Sequence, residues 1–186
     1  EGTLRKTLEE IRLFELDATE EDLCKQIVIT STRLLGFKIG RVRIMDPDGQ
    51  QLKTIATVGI PARDAKKIIG ETMPYSALHP FINEKYKSAN SYIVPHENIE
   101  WQNIARQYFY IPDQPLSKKN SWLPFDTLLT PLYASSGEVI GILTLDSPKS
   151  GMPPTKQLLE SIGIFASVAS WMIELNRYQR QLADQK

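Results

Sequence analysis

The sequence predicts an α+β fold, in which an antiparallel sheet carries helices from both ends of the chain on one face. Two hairpin patterns supply the strands, since in each of them a turn sequence separates two β-rich runs. The turns are DPDG at residues 46–49 and ASSG at residues 134–137. Amphipathic helical patterns precede the first hairpin and follow the second, and a sheet with one apolar face buries that face against such helices.

The helices before the first hairpin are predicted from apolar spacing and capping. Leucine and isoleucine recur at helical spacing over residues 2–16, which predicts a first helix there. Thr19 precedes a run of acidic residues and is the expected N-cap of a second helix, which Gly36 ends.

The first hairpin places two arginines on the face that the helices leave free. Because side chains alternate along a strand, Val42 and Ile44 point to one face and Arg41 and Arg43 to the other. A guanidinium on the free face suits a carboxylate or a phosphate. Arg43, nearer the centre of the strand, is therefore a candidate ligand-binding residue, with an exposed position or an internal salt bridge as the alternative. For Arg41 an exposed position or a salt bridge is the favoured interpretation.

The middle of the chain, residues 71–126, is the least regular part. SALHPFINEKYK predicts a short helix and NSYIVPH a short strand, whereas residues 97–126 show no clear periodicity. Aromatic side chains with a few polar groups are the usual lining of a small-molecule site. The candidate ligand-binding residues here are Tyr75, His79, Tyr92, Trp101, Trp122 and Asp126. The alternative is that the aromatic residues form a small core that holds this segment to the sheet.

The second hairpin leads into the last helix. Its second strand, VIGILTL, is apolar on both faces and is expected at the centre of the sheet. Thr144 on this strand is a further candidate for the ligand site, although alternation leaves its side open. Thr155 is the expected cap of the helix that follows.

The last helix carries two apolar stripes. One stripe suits packing on the sheet and consists of Leu158, Ile162, Phe165, Ala166, Ala169 and Ile173. The other has the alternating spacing of three and four residues that is typical of coiled coils and consists of Val168, Trp171, Leu175, Tyr178 and Leu182. One domain cannot easily bury both stripes, so we expect a homodimer through this helix. The alternative is that the second stripe packs on the N-terminal helix of the same chain.

Composition excludes several classes of partner. Lys plus Arg and Asp plus Glu each number 22, so the net charge is zero and no basic surface for nucleic acid or lipid is expected. We find no apolar run of the length that a membrane span needs and expect no direct membrane contact. A single cysteine allows no internal disulfide, which is typical of a cytoplasmic protein. The abrupt start and end suggest a fragment of a longer protein.

Several segments together resemble a GAF domain, the small-molecule sensor module of bacterial and archaeal signalling proteins. The closest resemblance lies in GEVIGILTLDSP and PPTKQLLESIGIFASVASWMIELN, and it extends to TEEDLCKQIVITSTRLLGF, RVRIMDPDGQQLKTIATVGIP, KSANSYIVPHE and SWLPFDTLLTPLY. It implies a GAF-like antiparallel sheet with N- and C-terminal helices on one face and a loop-covered pocket on the other. We accordingly divide the chain into a linker helix (1–18), a GAF-like domain (19–176) and the start of a C-terminal coiled-coil linker (177–186).

The resemblance also bears on cofactors. Some GAF domains bind haem through a histidine, and His79 and His96 are the only histidines, but a lone histidine in a loop is more often a hydrogen-bonding surface group. No Cys/His spacing suggests zinc. Relatives that bind bilin keep a cysteine in the middle of the domain, whereas Cys24 lies on the apolar side of a predicted helix. The cyclic-nucleotide signature is also missing. The cofactor is therefore unknown, with no metal, haem or bilin signature.

Two functional hypotheses follow. The first is a regulatory sensory module that binds an unidentified small molecule and relays the change through its terminal helices to a C-terminal effector domain. The resemblance implies that the domain stands before a histidine kinase of a two-component system, a diguanylate cyclase or another sensor domain. The second is a ligand-free dimerisation or spacer module. No nucleophile set, phosphate loop or metal site supports an enzyme. Whether residues 97–126 act as a lid or as a fixed element stays open.

Overall fold

A computed structural model describes residues 2, 5, 18–113 and 120–185 of the chain. The helix expected over residues 2–16 therefore lies outside the described residues, except for Gly2 and Arg5, which are both helical. The proposed linker helix of residues 1–18 stays a prediction for the same reason.

The described chain forms one antiparallel sheet with helices on both faces. Its helices are α1 (Glu20–Leu35), α2 (Ala62–Ile68), α3 (Ile99–Tyr108) and α4 (Lys156–Asp184). Its strands are β1 (Phe37–Met45), β2 (Gln51–Val58), β3 (Thr72–Pro74), β4 (Lys87–Ser88), β5 (Ser91–Val94), β6 (Thr127–Tyr133) and β7 (Val139–Pro148). The seven strands lie in the order β3-β2-β1-β7-β6-β5-β4, and every neighbouring pair is antiparallel. The predicted α+β class and the central position of β7 are confirmed.

The predicted caps and turns fix the ends of the main elements. The Thr19 side chain accepts a hydrogen bond from the Asp22 N–H at 3.1 Å, and Gly36 ends α1 with φ at 81°. Thr155 accepts from the Leu158 N–H at 3.1 Å at the start of α4. Each of the two threonine caps satisfies a backbone N–H that the first turn of its helix leaves without an intrahelical partner.

Helices α1 and α4 cover one face of the sheet. At Gly40 in β1, a Cβ would lie 2.6 Å from the Thr32 Cγ2 and 2.7 Å from the Val28 Cγ2, so the strand approaches α1 more closely than a larger residue allows. The core on this face includes Leu23, Cys24, Ile27, Val42, Leu143, Leu145, Ile162, Phe165, Ala169 and Ile173. We refer to it as the helix-face core.

The start of α1 is bound to α4 where α4 leaves the sheet. The Asn176 amide nitrogen donates to the Ala18 carbonyl at 2.7 Å, and the Arg177 Nε lies 2.6 Å from a Glu20 carboxylate oxygen. The chain therefore enters and leaves the described domain at one place.

The two stripes of α4 have different environments. The sheet-facing stripe is buried, apart from Leu158, which is half-buried. On the heptad stripe, Trp171 and Tyr178 are each 58% exposed and Leu182 is 44% exposed, whereas Val168 and Leu175 are half-buried. The alternative that the N-terminal helix of the same chain covers this stripe concerns residues outside the described ones.

Among the helices of the described residues, α4 alone is long and apolar enough to cross a membrane, judged by length and composition. The sequence pattern led us to expect no such run. However, 56% of its most apolar window is buried inside the domain. Packing on the sheet and on α1 therefore accounts for its apolar character.

The irregular middle differs from the prediction in two places. Residues 99–108, for which we predicted no regular structure, form α3, with the Asn98 side chain accepting from the Trp101 N–H at 2.9 Å. The helix predicted in SALHPFINEKYK is wrong: the segment contains two short 3₁₀ turns, Tyr75–Leu78 and Glu84–Tyr86. Pro80 lies between these turns, where it cannot donate a helical hydrogen bond.

The second face of the sheet is covered by α3 and by the two 3₁₀ turns. A second core fills most of the space beneath this cover, and its members include Met45, Leu52, Met73, Leu78, Phe81, Tyr92, Trp101, Leu129 and Ile142. We call it the cover core. The predicted loop-covered side of the sheet is thus present, but its interior is largely packed.

Candidate functional site

Arg41 and Arg43 of β1 lie side by side beneath the cover. They are only 5% and 1% exposed, on the face opposite Val42 and Ile44, as alternation predicts. Neither forms an ion pair with a carboxylate of the described residues. The exposed position or salt bridge that we favoured for Arg41 is therefore wrong, and both arginines are candidates for the site.

One backbone carbonyl oxygen accepts hydrogen bonds from both arginines. The Tyr108 oxygen accepts from Arg41 Nη1 at 3.1 Å and from Arg43 Nη2 at 2.6 Å. Tyr108 is the last residue of α3, where unpaired carbonyls give a helix its partial negative charge. The Phe109 ring lies 4.3 Å from Arg43 Cζ in a cation–π contact, and Arg41 Nε donates to the Thr54 hydroxyl at 2.9 Å.

These contacts leave the two positive charges only partly compensated. Burial lowers the pKa of Arg41 to about 10. Burial, and then the positive charge of Arg41, lowers the pKa of Arg43 well below its usual range, while Glu71 acts in the opposite direction. The Arg43 Nη1 is buried and has no hydrogen-bond partner. An anion placed between the guanidinium groups would relieve both the repulsion and the missing bond.

A small cavity adjoins Arg41. It holds about 20 Å³, roughly the space of one water molecule. Its lining is Ile39, Arg41, Ile60, Phe109, Tyr110, Ile111, Pro124, Thr127, Thr144 and Asp146. Thr144 lies directly opposite Arg41 in the β1–β7 register, which settles the side of the sheet that sequence alternation left open. Its hydroxyl is buried without a hydrogen-bond partner, so a second polar atom beside the arginines is unsatisfied.

Asp146 lies on the same cavity wall and is held by Trp122. The Trp122 Nε1–H donates to the Asp146 carboxylate at 2.8 Å, and the Ser147 N–H donates to the same oxygen at 2.6 Å. Burial raises the pKa of Asp146 to about 7, although these two hydrogen bonds act to lower it. Trp122 does not line the cavity and acts on it by orienting Asp146.

Trp101 and Tyr92 are members of the cover core. The Trp101 Nε1–H donates to the Thr127 hydroxyl at 3.0 Å, and its ring meets the rings of Phe81 and Phe109 edge-on at 4.8 and 5.0 Å. Trp101 thus supports Phe109, which lies on Arg43. Tyr92 is buried in β5, opposite Leu129 of β6.

Asp126 joins the segment before β6 to the end of β5. Its carboxylate accepts from the His96 N–H at 2.8 Å and from the Leu123 N–H at 2.8 Å, and it lies 2.9 Å from the His96 Nδ1. His96 also lies 3.3 Å from a Glu97 carboxylate oxygen. These contacts give Asp126 and His96 a structural role at the edge of the cover.

Two predicted residues lie apart from the arginines. Tyr75 and His79 contact each other edge-on at 4.7 Å in the first 3₁₀ turn. His79 is exposed, and neither side chain lines the cavity beside Arg41. From the predicted set, the structure therefore places Thr144 on the cavity opposite Arg41 and Arg43 next to Arg41 on the same face of β1. Trp101 and Trp122 lie in support, and Tyr75 and His79 lie elsewhere.

Sequence reasoning missed the residues that complete the site. Tyr108 contributes a backbone carbonyl, which has no signature in the sequence. Phe109 follows directly on α3, and the helix itself was overlooked. A signal for α3 exists, since Asn98 is a suitable N-cap and Trp101, Ala105 and Tyr108 follow at helical spacing.

The described part of the chain shows no group of three His, Cys, Asp or Glu side chains arranged to hold a metal ion. Cys24 is buried in the helix-face core, where burial raises the pKa of its thiol to about 12. The thiol therefore remains protonated and packs as a small apolar group.

Comparison with known proteins gives the fold a name. No family model matches the sequence, and no curated protein matches it. Among solved structures, the protein is similar to a GAF domain/HD domain protein from Geobacter sulfurreducens, with 12% identity, a TM-score of 0.64 and coverage of 89% of this chain and 99% of that chain. It is also similar to the GAF domain of a phosphoenolpyruvate-protein phosphotransferase from Coxiella burnetii, with 15% identity, a TM-score of 0.63 and coverage of 97% and 95%. The corresponding domain from Acinetobacter has 15% identity, a TM-score of 0.60 and coverage of 93% and 91%.

These likenesses extend over nearly the whole of both chains, so the fold is that of GAF domains. The resemblance found in the sequence is confirmed at the level of fold. At these identities a shared fold does not transfer a ligand or an activity.

Proposed function

We propose that this protein is a regulatory sensory module of a signalling protein, which binds a small molecule between the sheet and the α3 cover. One observation carries the proposal: Arg41 and Arg43 are buried together beneath that cover, and neither forms an ion pair with a carboxylate of the described residues. Burial of a cation costs free energy unless the cation is paired, and apolar residues could fill the same space more favourably. A packing core has no need of this pair, whereas a binding site does.

The sheet provides a short connection from the site to α4. On β1, Arg41 and Arg43 face the cover, while Val42 and Ile44 belong to the helix-face core. On β7, Thr144 lies on the cavity and its neighbours Leu143 and Leu145 face the helices. A ligand that binds two arrangements of these strands with different free energies would shift the helices between two positions.

Helix α4 carries the change onward in this proposal. Its exposed heptad stripe pairs with the same stripe of a second copy, and the resulting homodimer passes the shift to a C-terminal effector domain. The domain itself catalyses nothing and works in the cytoplasm. A role in signalling is supported by the signalling proteins that share the fold, which include a methyl-accepting chemotaxis protein.

A ligand-free dimerisation or spacer module is the competing function. The small cavity and the aromatic filling of the cover core favour it. The sensory module binds a small molecule that shifts its conformation, whereas the spacer module binds none. Both functions require the homodimer.

Native mass spectrometry of freshly purified protein, compared with the denatured mass, separates the two functions. A retained small molecule that is lost in Arg43→Met supports the sensory module. A protein that retains nothing, and whose melting temperature no compound in a metabolite panel raises, supports the spacer.

The dimer has its own test. We expect the double substitution Leu175→Gln and Leu182→Gln to convert a dimer to a monomer without unfolding the domain. Arg180→Gln with Asp184→Asn, two exposed positions of α4 off the stripe, is the matched control and should remain dimeric. A wild-type monomer, or a dimer that survives the leucine substitutions, would contradict pairing through this stripe.

A further inference from the structure

We propose that the ligand is a small organic acid with one carboxylate, which replaces the Tyr108 carbonyl as the acceptor of Arg41 and Arg43. The inference rests on the proposed sensory function and specifies its ligand. It is drawn from the donors that converge on one oxygen atom, from the polar atoms left unsatisfied beside them, and from the lining of the adjoining cavity.

The donor geometry favours a carboxylate over a single carbonyl. The Tyr108 oxygen is shared between two guanidinium groups, at 3.1 Å and 2.6 Å, and one Arg43 nitrogen is left without a partner. A carboxylate has two oxygens and about four acceptor positions, so it can engage both arginines at once. The planar guanidinium group matches that geometry through two parallel N–H···O bonds, and the carboxylate also neutralises a positive charge, which the Tyr108 carbonyl does not do.

The cavity beside Arg41 would receive the rest of the ligand. Ile39, Ile60 and Ile111 give it apolar walls, and the unpartnered hydroxyl of Thr144 offers one more donor on the floor. This combination fits a short apolar body with one charged end.

Asp146 limits the negative charge of the ligand. Asp146 lines the same cavity, and its carboxylate accepts hydrogen bonds from the Trp122 Nε1–H and the Ser147 N–H. Above its pKa of about 7 this carboxyl is ionised, and a second negative charge on the ligand, as on a phosphate dianion, would then face it across the cavity. The site therefore favours a monocarboxylate over phosphate.

Binding would move the end of α3. The cavity holds about 20 Å³, too little for a four-carbon acid, so Tyr108 and Phe109 must give way. Phe109 lies edge-on to Trp101 at 5.0 Å, and Trp122 holds Asp146 on the cavity wall. Two tryptophans thus lie beside the moving parts, and their fluorescence reports on the site.

The test uses sodium acetate, butyrate and benzoate as probes, at ionic strength held constant with sodium chloride. The measurements are made at pH 8, where Asp146 is ionised and sodium phosphate is mainly the dianion, and butyramide is the neutral match of butyrate. We expect at least one of the three carboxylates to raise the melting temperature and to change the tryptophan fluorescence in a saturable way, because a ligand of the native state stabilises it by mass action. Butyramide and phosphate should do neither.

Three variants locate the binding. Thr144→Val keeps the shape of the side chain and should weaken binding about tenfold, the effect of one lost hydrogen bond. Arg43→Met should abolish binding. Arg63→Gln removes an exposed arginine of α2 and should bind as the wild type does.

Three results would overturn the inference. One is the absence of any response to all three carboxylates at tens of millimolar. Another is equal binding of butyramide or phosphate, and the third is full binding by both Thr144→Val and Arg43→Met. The sensory function has a separate criterion, because it fails only if native mass spectrometry and the metabolite panel find no ligand of any class.

Discussion

Replacing Arg43 by methionine should make the domain more stable in the absence of ligand. The guanidinium group is almost fully buried and has one hydrogen-bond acceptor, the Tyr108 carbonyl, together with the Phe109 ring. Methionine retains most of the length and the apolar contact with Phe109 but carries no charge. Tyr108 does not become an unpaired carbonyl, since Arg41 still donates to it at 3.1 Å.

The expected gain follows from opposing terms. Taking one cation out of water costs several kcal/mol even after relaxation, and repulsion between the two arginines adds to that cost. The substitution loses about 2 kcal/mol from a charge-assisted hydrogen bond and about 1 kcal/mol from the cation–π contact. We therefore expect Arg43→Met to raise the free energy of unfolding by about 1–2 kcal/mol, within the range known for replacing buried ionic groups by apolar ones.

Equilibrium urea denaturation, monitored by fluorescence at neutral pH, measures this change. The midpoint should rise while the dependence on urea stays constant, since the same surface is exposed on unfolding. Arg106→Met is the matched control, because Arg106 also lies over an aromatic ring, that of Phe125 at 5.0 Å, but is exposed. Its effect should stay within about 0.5 kcal/mol. A loss of more than about 1 kcal/mol in Arg43→Met would show that the domain already compensates this charge and would remove the reason for a bound anion.

Other predictions test the surroundings of the site. Asp146 has its pKa raised from 3.8 to about 7, so the folded state holds a proton that the unfolded state releases between these values. We therefore expect the wild type to lose up to about 4 kcal/mol of unfolding free energy, relative to Asp146→Asn, as pH rises from about 4 to 7. Parallel urea denaturation of the two proteins measures this loss. A difference in unfolding free energy that stays constant over this pH range would contradict the raised pKa. Trp101→Phe loses the hydrogen bond to Thr127 and part of a buried ring, so it should lower the free energy of unfolding by about 2 kcal/mol. An unchanged midpoint in urea denaturation would contradict the supporting role of Trp101. Gly59→Ala should cost more than about 2 kcal/mol, because φ is 80° and the new Cβ would overlap the Lys38 carbonyl oxygen. A variant with the wild-type urea midpoint would refute this.

The parts of the fold that could be predicted depend on regular periods. Alternation along β1 placed Arg41 and Arg43 on the face opposite Val42, and helical spacing separated the two stripes of α4. Both methods work over long elements, in which many residues repeat the same signal. The ten residues of α3 make fewer than three turns, so its apolar spacing repeats too few times to stand out among the aromatic residues around it.

The candidate site could be predicted only in part, because it depends on contacts between distant residues. Arg43 and Tyr108 are 65 positions apart in the sequence and meet through a backbone atom. Sequence reasoning can place a cation on a face of a sheet. Whether a carboxylate pairs with that cation depends on the three-dimensional structure. Burial of both arginines, which is the decisive observation, appears only when the cover is in place.

The contacts of Ala18 with Asn176 and of Glu20 with Arg177 act as a single pivot. They clamp the first residues of α1 to the point where α4 passes beyond the sheet. The exposed end of α4 is then a lever arm of about a dozen ångströms, since residues 177–184 each advance it by about 1.5 Å. A tilt of a few degrees at the pivot is therefore magnified along the arm, and the incoming chain at residue 18 must turn with it.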